Sequence, residues 1–301
     1  MIKMYHTHIC IHARTAHMDP PDYDFSQCAR EITASSRRLS RAPGAHDYLK
    51  ANVFPCPPAE ENHLVVPRHA RHNVPLYSGK RAIEFGSRVD ELISAAAGEA
   101  NGLEDLAKTE TGHKRTTKTC MEQDAVYTAA AVCKKLTDWG FVSYCAQLEV
   151  RLPDNVTGST VCGPVLDLLG SKGGKLVVVE LKCGHRVSSV GKIHNSCPTM
   201  RGEFRDIKDS RKNRACAQLA LQRLAVEMHV PAQVEVIGVV LFVKPLGEPR
   251  LCTLPLSIYN AARRLTGYPC TEIDPPEKAS AKKRKTTKGL RQATLHPYLQ
   301  K

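Results

Sequence analysis

The segment that most restricts the fold of this chain is residues 165–184, VLDLLGSKGGKLVVVELKCG. Two apolar runs flank a turn of Gly, Ser and Lys, and this pattern predicts a β-hairpin. Residues 176–179 contain no polar side chain, which is typical of a strand covered on both faces. Three charged residues nevertheless lie within the two runs: Asp167, Glu180 and Lys182. A fold that places this hairpin inside a sheet must therefore provide partners for these charges.

The apolar periodicity around the hairpin predicts further helices and strands. Helical spacing is found at residues 82–98, 121–140 and 209–230, and strand patterns are found at 141–152 and 233–244. The resulting order around the hairpin is helix–β–β–β–helix–β. This order indicates an α/β protein with a central mixed β-sheet flanked by helices.

Composition divides the chain into three parts. Residues 1–80 are rich in His, Pro and Arg, and we expect a partly disordered N-terminal extension that partly packs on the core. The globular core is expected at 81–274. Residues 275–301 are basic and rich in Lys, Ser and Thr, which predicts a disordered tail.

The charge and the cysteines limit the class of partner and cofactor. Lys and Arg outnumber Asp and Glu by 43 to 30, a net charge of +13, which favours a polyanionic partner such as nucleic acid or an anionic membrane surface. No apolar run reaches the roughly 18 residues that a membrane span requires, and no apolar signal core is found at the N-terminus. We therefore expect a soluble intracellular protein without a membrane partner. None of the 12 cysteines forms a C-x-x-C pair, so neither a zinc site nor an iron–sulfur cluster is predicted.

Strand geometry brings the three charges of the hairpin together. Side chains alternate along a strand, so Glu180 and Lys182 share a face, and Asp167 lies in the neighbouring strand. Two carboxylates buried together need a cation, and one lysine neutralises only one of them. A hard divalent ion, Mg²⁺ or Mn²⁺, would satisfy both through oxygen ligands. The alternative is a Glu180–Lys182 salt bridge on a solvent-exposed sheet face, which the apolar run 176–179 disfavours.

Asp167 followed by Glu180-Leu181-Lys182 resembles the PD-(D/E)XK nuclease superfamily. The helix FGSRVDEL, residues 85–92, resembles a helix of its RecB-like and lambda-exonuclease-like branch, with Asp90 in place of the usual histidine. The resemblance covers roughly residues 82–244 and implies a restriction-endonuclease-like core. It implies Mg²⁺ or Mn²⁺ held by Asp90, Asp167, Glu180 and the backbone carbonyl of Leu181. Lys182 would activate or orient a water molecule, or neutralise developing charge.

The long helix at 209–230 resembles the branch's Gln-plus-Tyr helix. Gln218 matches the glutamine, whereas Gln222 occupies the tyrosine position. Arg211, Arg214, Gln218 and Gln222 form one polar stripe at positions i, i+3, i+7 and i+11. We expect Gln218 to position the strand to be cleaved, and Arg211, Arg214 and Gln222 to contact DNA.

The connection before this helix carries further basic residues. We expect Lys192, Arg201 and Arg205 to guide a DNA strand through phosphate contacts. A solvated loop without such a role is the alternative.

Two motifs lie in the basic tail. Residues 282–285, KKRK, read as a nuclear localisation signal or a nonspecific nucleic-acid tether. The last residues, RQATLHPYLQK, resemble a peptide that binds the PCNA sliding clamp. The residues at the positions of this box are Gln292, Leu295, Tyr298 and Leu299. The tail therefore predicts a nuclear protein with a sliding clamp as a partner.

Together these features predict a metal-dependent DNA nuclease, an exonuclease acting in replication, recombination or repair. Two alternatives stay open. One is a structure-selective endonuclease of the junction-resolvase type on the same core, and the other is a catalytically silent adaptor that binds DNA or a sliding clamp.

Overall fold

The computed structural model describes residues 24–36, 42–54, 80–109, 121–183 and 198–270. Most of the predicted N-terminal extension, the basic residue Lys192, the nuclear localisation signal and the clamp-binding residues Gln292, Leu295, Tyr298 and Leu299 lie outside these ranges. Among the helices in the described ranges, none is both long and apolar enough to cross a bilayer.

In the described ranges five α-helices come first, five strands follow, and a helix, two strands and a last helix come after them. The predicted order helix–β–β–β–helix–β is contained in this series, with two short strands added between the first and second predicted strands. The helices are α1 (Phe25–Ser36), α2 (Ala45–Asn52), α3 (Lys80–Ala97), α4 (Gly102–Ala107), α5 (Met121–Asp138), α6 (Arg211–Glu227) and α7 (Leu256–Leu265). The strands are β1 (Val142–Glu149), β2 (Leu152–Pro153), β3 (Thr160–Cys162), β4 (Val165–Lys172), β5 (Lys175–Cys183), β6 (Val236–Val243) and β7 (Arg250–Thr253). A short 3₁₀ helix, Gly202–Phe204, precedes α6.

Five strands form one mixed sheet in the order β1-β4-β5-β6-β7. Neighbouring strands are antiparallel except β5 and β6, which run parallel. The parallel pair follows from the connection through α6, because a helical crossover returns the chain in the same direction. The strands β2 and β3 form a separate two-stranded sheet. The predicted α/β class, with a central mixed sheet flanked by helices, is confirmed.

Helices cover both faces of the five-stranded sheet. One apolar cluster joins the sheet to α1, α2, α6 and α7, and a second joins it to α3, α4 and α5. Strand β5 contributes Leu176 and Val178 to the first cluster, and Val177 and Val179 to the second. All four side chains are fully buried. The prediction that this strand is covered on both faces is therefore confirmed, and its charged residues lie at the end of the most apolar strand.

The first two helices add to this core, although no regular structure was predicted for them. α1 buries Cys28 and Ile32, and α2 buries Leu49. Phe54, just after α2, is buried as well. The apolar residues of α1, Phe25, Cys28, Ala29 and Ile32, do follow helical spacing, so the sequence carries a signal for α1 that the prediction missed. The eight residues of α2 are too few for such a pattern.

Candidate active site

The candidate site begins where two neighbouring strands separate. β4 and β5 pair in antiparallel register as far as Leu168 and Val179. Asp167 directly precedes Leu168 in β4. Its Oδ2 accepts a hydrogen bond from the backbone N–H of Leu181, with an N···O distance of 2.6 Å. A carboxylate thus takes the place of a strand carbonyl as the acceptor, and this contact holds Asp167 between the two strands.

Glu180 is fully buried on the side of β5 that α6 covers. Gln222 Nε2 donates to Glu180 Oε2 at 2.5 Å and to the Val165 carbonyl oxygen at 2.7 Å. Glu180 Oε1 forms an ion pair with Lys182 Nζ. Glu180 and Lys182 therefore share one face of the strand, as their alternation predicts.

The same helix also contacts the lysine. Lys182 Nζ donates to Gln218 Oε1 at 3.2 Å. Gln218 and Gln222 lie one turn apart on α6, so a single helix face meets both members of the Glu180–Lys182 pair. The predicted polar stripe faces β5 through its two glutamines.

A third carboxylate comes from α3. Asp90 Oδ2 accepts a hydrogen bond from Gln147 Nε2 of β1 at 2.9 Å. Asp90 Oδ1 is buried, and no hydrogen-bond partner for it occurs in the described part of the chain. The same holds for Gln222 Oε1. A buried polar atom without a hydrogen-bond partner raises the free energy of the folded state. A hydrogen-bond donor or a cation placed next to either oxygen would therefore stabilise the fold.

The carboxylates disfavour one another's ionised forms. Burial raises the pKa of Asp167 well above its ordinary value, and the Glu180 carboxylate raises it further. The ammonium of Lys182 and the N–H of Leu181 oppose this shift without cancelling it. Burial also raises the pKa of Asp90, again with a contribution from Glu180. The site therefore brings together more carboxyl groups than its single lysine could neutralise if all of them were ionised.

Lys182 is held in its charged form. Burial lowers the pKa of this ammonium, but the carboxylates of Glu180 and Asp167 raise it by more, so the net shift is upward. A charged lysine donates hydrogen bonds and stabilises negative charge, but it does not accept a proton. This favours an orienting or charge-neutralising role for Lys182 over that of a general base.

The fit of the site to a metal ion depends on these carboxylates. Within the described residues, no group of three His, Cys, Asp or Glu side chains stands in metal-binding geometry. Here Lys182 and Gln222 engage the two oxygens of Glu180. The donor set nevertheless suits a hard divalent cation, because it offers carboxylate oxygens that repel one another and an unpartnered oxygen on Asp90. The donor types therefore match those that Mg²⁺ or Mn²⁺ prefers.

Two residues predicted to contact DNA have other partners. Gln222 is fully buried, and its amide nitrogen is used by Glu180 and Val165, so its side chain supports the site from inside the core. Arg214 forms two hydrogen bonds with the Asp209 carboxylate, both at 2.6 Å, and its guanidinium lies 4.5 Å from the ring centre of Phe54. Both arrangements differ from the predicted DNA contacts, because sequence spacing does not reveal which partner a polar side chain has.

The remaining predicted DNA-binding residues in the described ranges lie at the surface. Arg201, Arg205 and Arg211 are exposed, and they flank the start of α6, upstream of Gln218.

Arg214 is expected to stabilise the fold. Its side chain is 19% exposed and that of Asp209 only 3%, so Arg214→Ala leaves a buried carboxylate without its cation. We expect a loss of about 3 kcal/mol in the free energy of unfolding, measured by urea denaturation. Arg205→Ala, at an exposed position, is the control and should change stability by no more than about 0.5 kcal/mol. Unchanged stability in Arg214→Ala, with weakened DNA binding, would instead support the DNA contact.

Sequence reasoning missed two residues of the site. Gln147 contacts Asp90, but a glutamine in a strand carries no signal for that contact. Cys183 follows Lys182, and burial raises the pKa of its thiol to about 12, with Asp90 and Asp167 adding to the shift. The thiol therefore stays protonated and fills space beside the carboxylates.

A comparison of the chain with protein-family models finds no match, and a comparison with curated proteins finds none either.

Proposed function

We propose that this protein is a Mg²⁺-dependent DNA nuclease. One observation carries the proposal: Asp167, Glu180 and Lys182 converge where β4 and β5 separate, next to the buried apolar run 176–179 of β5. Charges at such a position cost folding free energy, and a charge-dependent reaction accounts for their presence. The observed element order is also the order on which the resemblance to the PD-(D/E)XK superfamily rests.

In this proposal each side chain has a separate task. Asp90, Asp167 and Glu180, with the carbonyl of Leu181, would hold the cation, which when bound supplies an activated water and stabilises charge on the phosphate. Lys182, held in its charged form, orients the attacking water or neutralises charge that develops during attack. Gln218 holds the lysine through its side-chain oxygen.

DNA is the proposed substrate because of the charge distribution. The net charge of the chain is +13, which favours a phosphate backbone as ligand. Arg201, Arg205 and Arg211 supply exposed guanidinium groups near the N-terminal end of α6, the helix that contacts the site. Such side chains bind phosphates and position a strand without reading its sequence.

The proposal is tested by digestion of end-labelled linear double-stranded, linear single-stranded and closed circular DNA, with Mg²⁺, with Mn²⁺ or with EDTA. We expect loss of linear DNA that depends on the metal, with closed circles left intact, which identifies an exonuclease. Cleavage of circles or of branched junctions would identify a structure-selective endonuclease instead. Equal digestion in EDTA would contradict metal dependence.

A second candidate function is a DNA-binding adaptor without catalysis. Both oxygens of Glu180 are engaged by Lys182 and Gln222, so the carboxylate is neutralised without a metal. This candidate predicts DNA binding without metal-dependent cleavage in the same experiment.

The proposed partner and location depend on the tail. We propose that residues 282–285 direct the protein to the nucleus, and that Gln292, Leu295, Tyr298 and Leu299 bind a sliding clamp. Binding of a synthetic peptide of residues 288–301 to purified clamp, with Tyr298→Ala as the control, tests the second statement.

A further inference from the structure

One residue of the sheet has a backbone conformation that its side-chain type disfavours. Gln147 in β1 has a φ angle of 50°, in the left-handed region, where a side chain with a Cβ atom is strained. The only other residues besides glycine with positive φ in the described ranges are Asn101 and Leu246. Unlike these two, Gln147 lies within a strand of the main sheet. Glycine would adopt this conformation without strain, so the glutamine side chain needs its own explanation.

Gln147 lies where the side chains of β1 switch from one face of the sheet to the other. Ala146 packs against the cluster that contains α3, whereas Leu148 belongs to the cluster that contains α6. In a regular strand, residues two apart point to the same face. In β4 the same change occurs around Asp167, between Leu166 and Leu168. The register pairs Ala146 with Leu168 and Leu148 with Leu166, so Gln147 and Asp167 lie at the same level of the sheet.

The side chain of Gln147 reaches across to α3. Its amide nitrogen donates to Asp90 Oδ2 at 2.9 Å, and this bond joins residues 57 positions apart in the chain. Asp90 Oδ1 remains buried, and it has no partner in the part of the chain that the structure describes. The Gln147 amide therefore restrains one oxygen of the Asp90 carboxylate and leaves the other oxygen available to a cation.

We propose that Gln147 is a positioning residue that orients Asp90 for the divalent cation, an inference that rests on the proposed function. A hydrogen bond to one carboxylate oxygen fixes the rotamer of the ligand before the cation arrives. The left-handed backbone is what directs the amide toward α3 at this level of the sheet. Glycine at this position would relieve the backbone strain but would lose the amide. The strained glutamine is retained because its side chain acts on Asp90.

Two substitutions separate the backbone from the side chain. Gln147→Gly accommodates the positive φ and removes the amide, and Gln147→Asn tolerates the left-handed conformation but is one methylene shorter. Asn101→Gly is the matched control, because Asn101 also has positive φ, at 61°, and lies at the start of α4, where it makes no capping bond with its side chain. All three variants should fold at least as stably as the wild type.

The experiment measures the dissociation constant of Mn²⁺ by titration, without DNA, together with the midpoint of thermal unfolding without metal. We expect Gln147→Gly and Gln147→Asn to bind Mn²⁺ about 10-fold more weakly than the wild type, with unfolding midpoints that do not fall. Asn101→Gly should keep the wild-type Mn²⁺ affinity.

Wild-type Mn²⁺ affinity in Gln147→Gly would overturn the positioning role while leaving the proposed function intact. A lowered unfolding midpoint in both Gln147 variants would also overturn it, because the residue would then be structural. Failure of the wild type to bind Mn²⁺ would contradict the proposed function itself, and the positioning role with it.

Discussion

Replacing Asp167 with asparagine is expected to abolish DNA cleavage and, at neutral pH without metal, to stabilise the fold. Asparagine still accepts the Leu181 N–H through its side-chain oxygen, so the contact between β4 and β5 is kept. The negative charge with which Asp167 would hold the proposed metal is lost, and we expect the cleavage rate to fall by at least about 1,000-fold. Function and stability should therefore move in opposite directions at this position.

The expected gain in stability follows from the raised pKa of Asp167. Above the ordinary aspartate value of about 3.9, the unfolded chain releases this proton while the folded chain retains it. Stability is therefore lost as the pH rises from that value toward the raised pKa, and the loss is complete above it. Asparagine removes this loss, so the advantage of Asp167→Asn in unfolding free energy should grow with pH over the same window.

Asp154→Asn provides a control of opposite sign. The backbone N–H and the hydroxyl of Thr157 lower the pKa of Asp154, so its ionised form stabilises the folded state above the ordinary pKa. Asp154→Asn should therefore lower the unfolding free energy at neutral pH and leave cleavage unchanged. Urea denaturation from pH 4 to pH 8 measures both variants. Cleavage by Asp167→Asn within about tenfold of the wild-type rate would rule out the assigned role of this carboxylate.

Replacing Gln222 with leucine is expected to cause one of the largest losses of stability of any single change at the site. The buried amide of Gln222 donates to Glu180 and to the Val165 carbonyl. Leucine leaves the fully buried Glu180 carboxylate and the Val165 carbonyl without this donor. We expect a loss of about 3 kcal/mol in the free energy of unfolding, seen as a lower urea midpoint with an unchanged m value.

Gln218→Leu is the matched control on the same helix. Gln218 is only partly buried and contacts Lys182, so its loss should cost less than about 1 kcal/mol. The double variant Gln222→Leu with Glu180→Leu should regain part of the stability, because the buried carboxylate is removed, whereas Lys182 loses its ion-pair partner and keeps its contact with Gln218. Equal losses of unfolding free energy in Gln222→Leu and Gln218→Leu would show that the hydrogen bond from Gln222 to Glu180 does not stabilise the fold.

Local pattern was sufficient to predict the hairpin and the shared face of Glu180 and Lys182. Alternation along a strand is a short-range property, and the apolar run 176–179 identifies a strand buried on both sides. The same reasoning applied to α6 predicts a polar face, and Gln218 and Gln222 of that face contact β5. These features depend on neighbours within a few residues.

The features that sequence reasoning missed depend on distant partners. The contact of Gln147 with Asp90 requires a left-handed strand residue and a helix 57 positions earlier in the chain. Arg214 is paired with Asp209 and lies against Phe54, a residue that is distant from it in the chain. Spacing predicted which polar residues share one face of a helix or strand. It could not predict which of them would be buried with a partner.

The most direct test of the proposed site compares wild-type protein with Lys182→Met, measuring Mg²⁺-dependent cleavage of linear DNA and DNA affinity on the same samples. Methionine keeps an unbranched side chain that is one atom shorter than that of lysine, and it removes the charge. We expect cleavage to be lost and DNA affinity to stay within about threefold of the wild type, because the proposal assigns phosphate binding to the exposed arginines rather than to Lys182. Wild-type cleavage by Lys182→Met would contradict the assignment of the nuclease site to Asp167, Glu180 and Lys182.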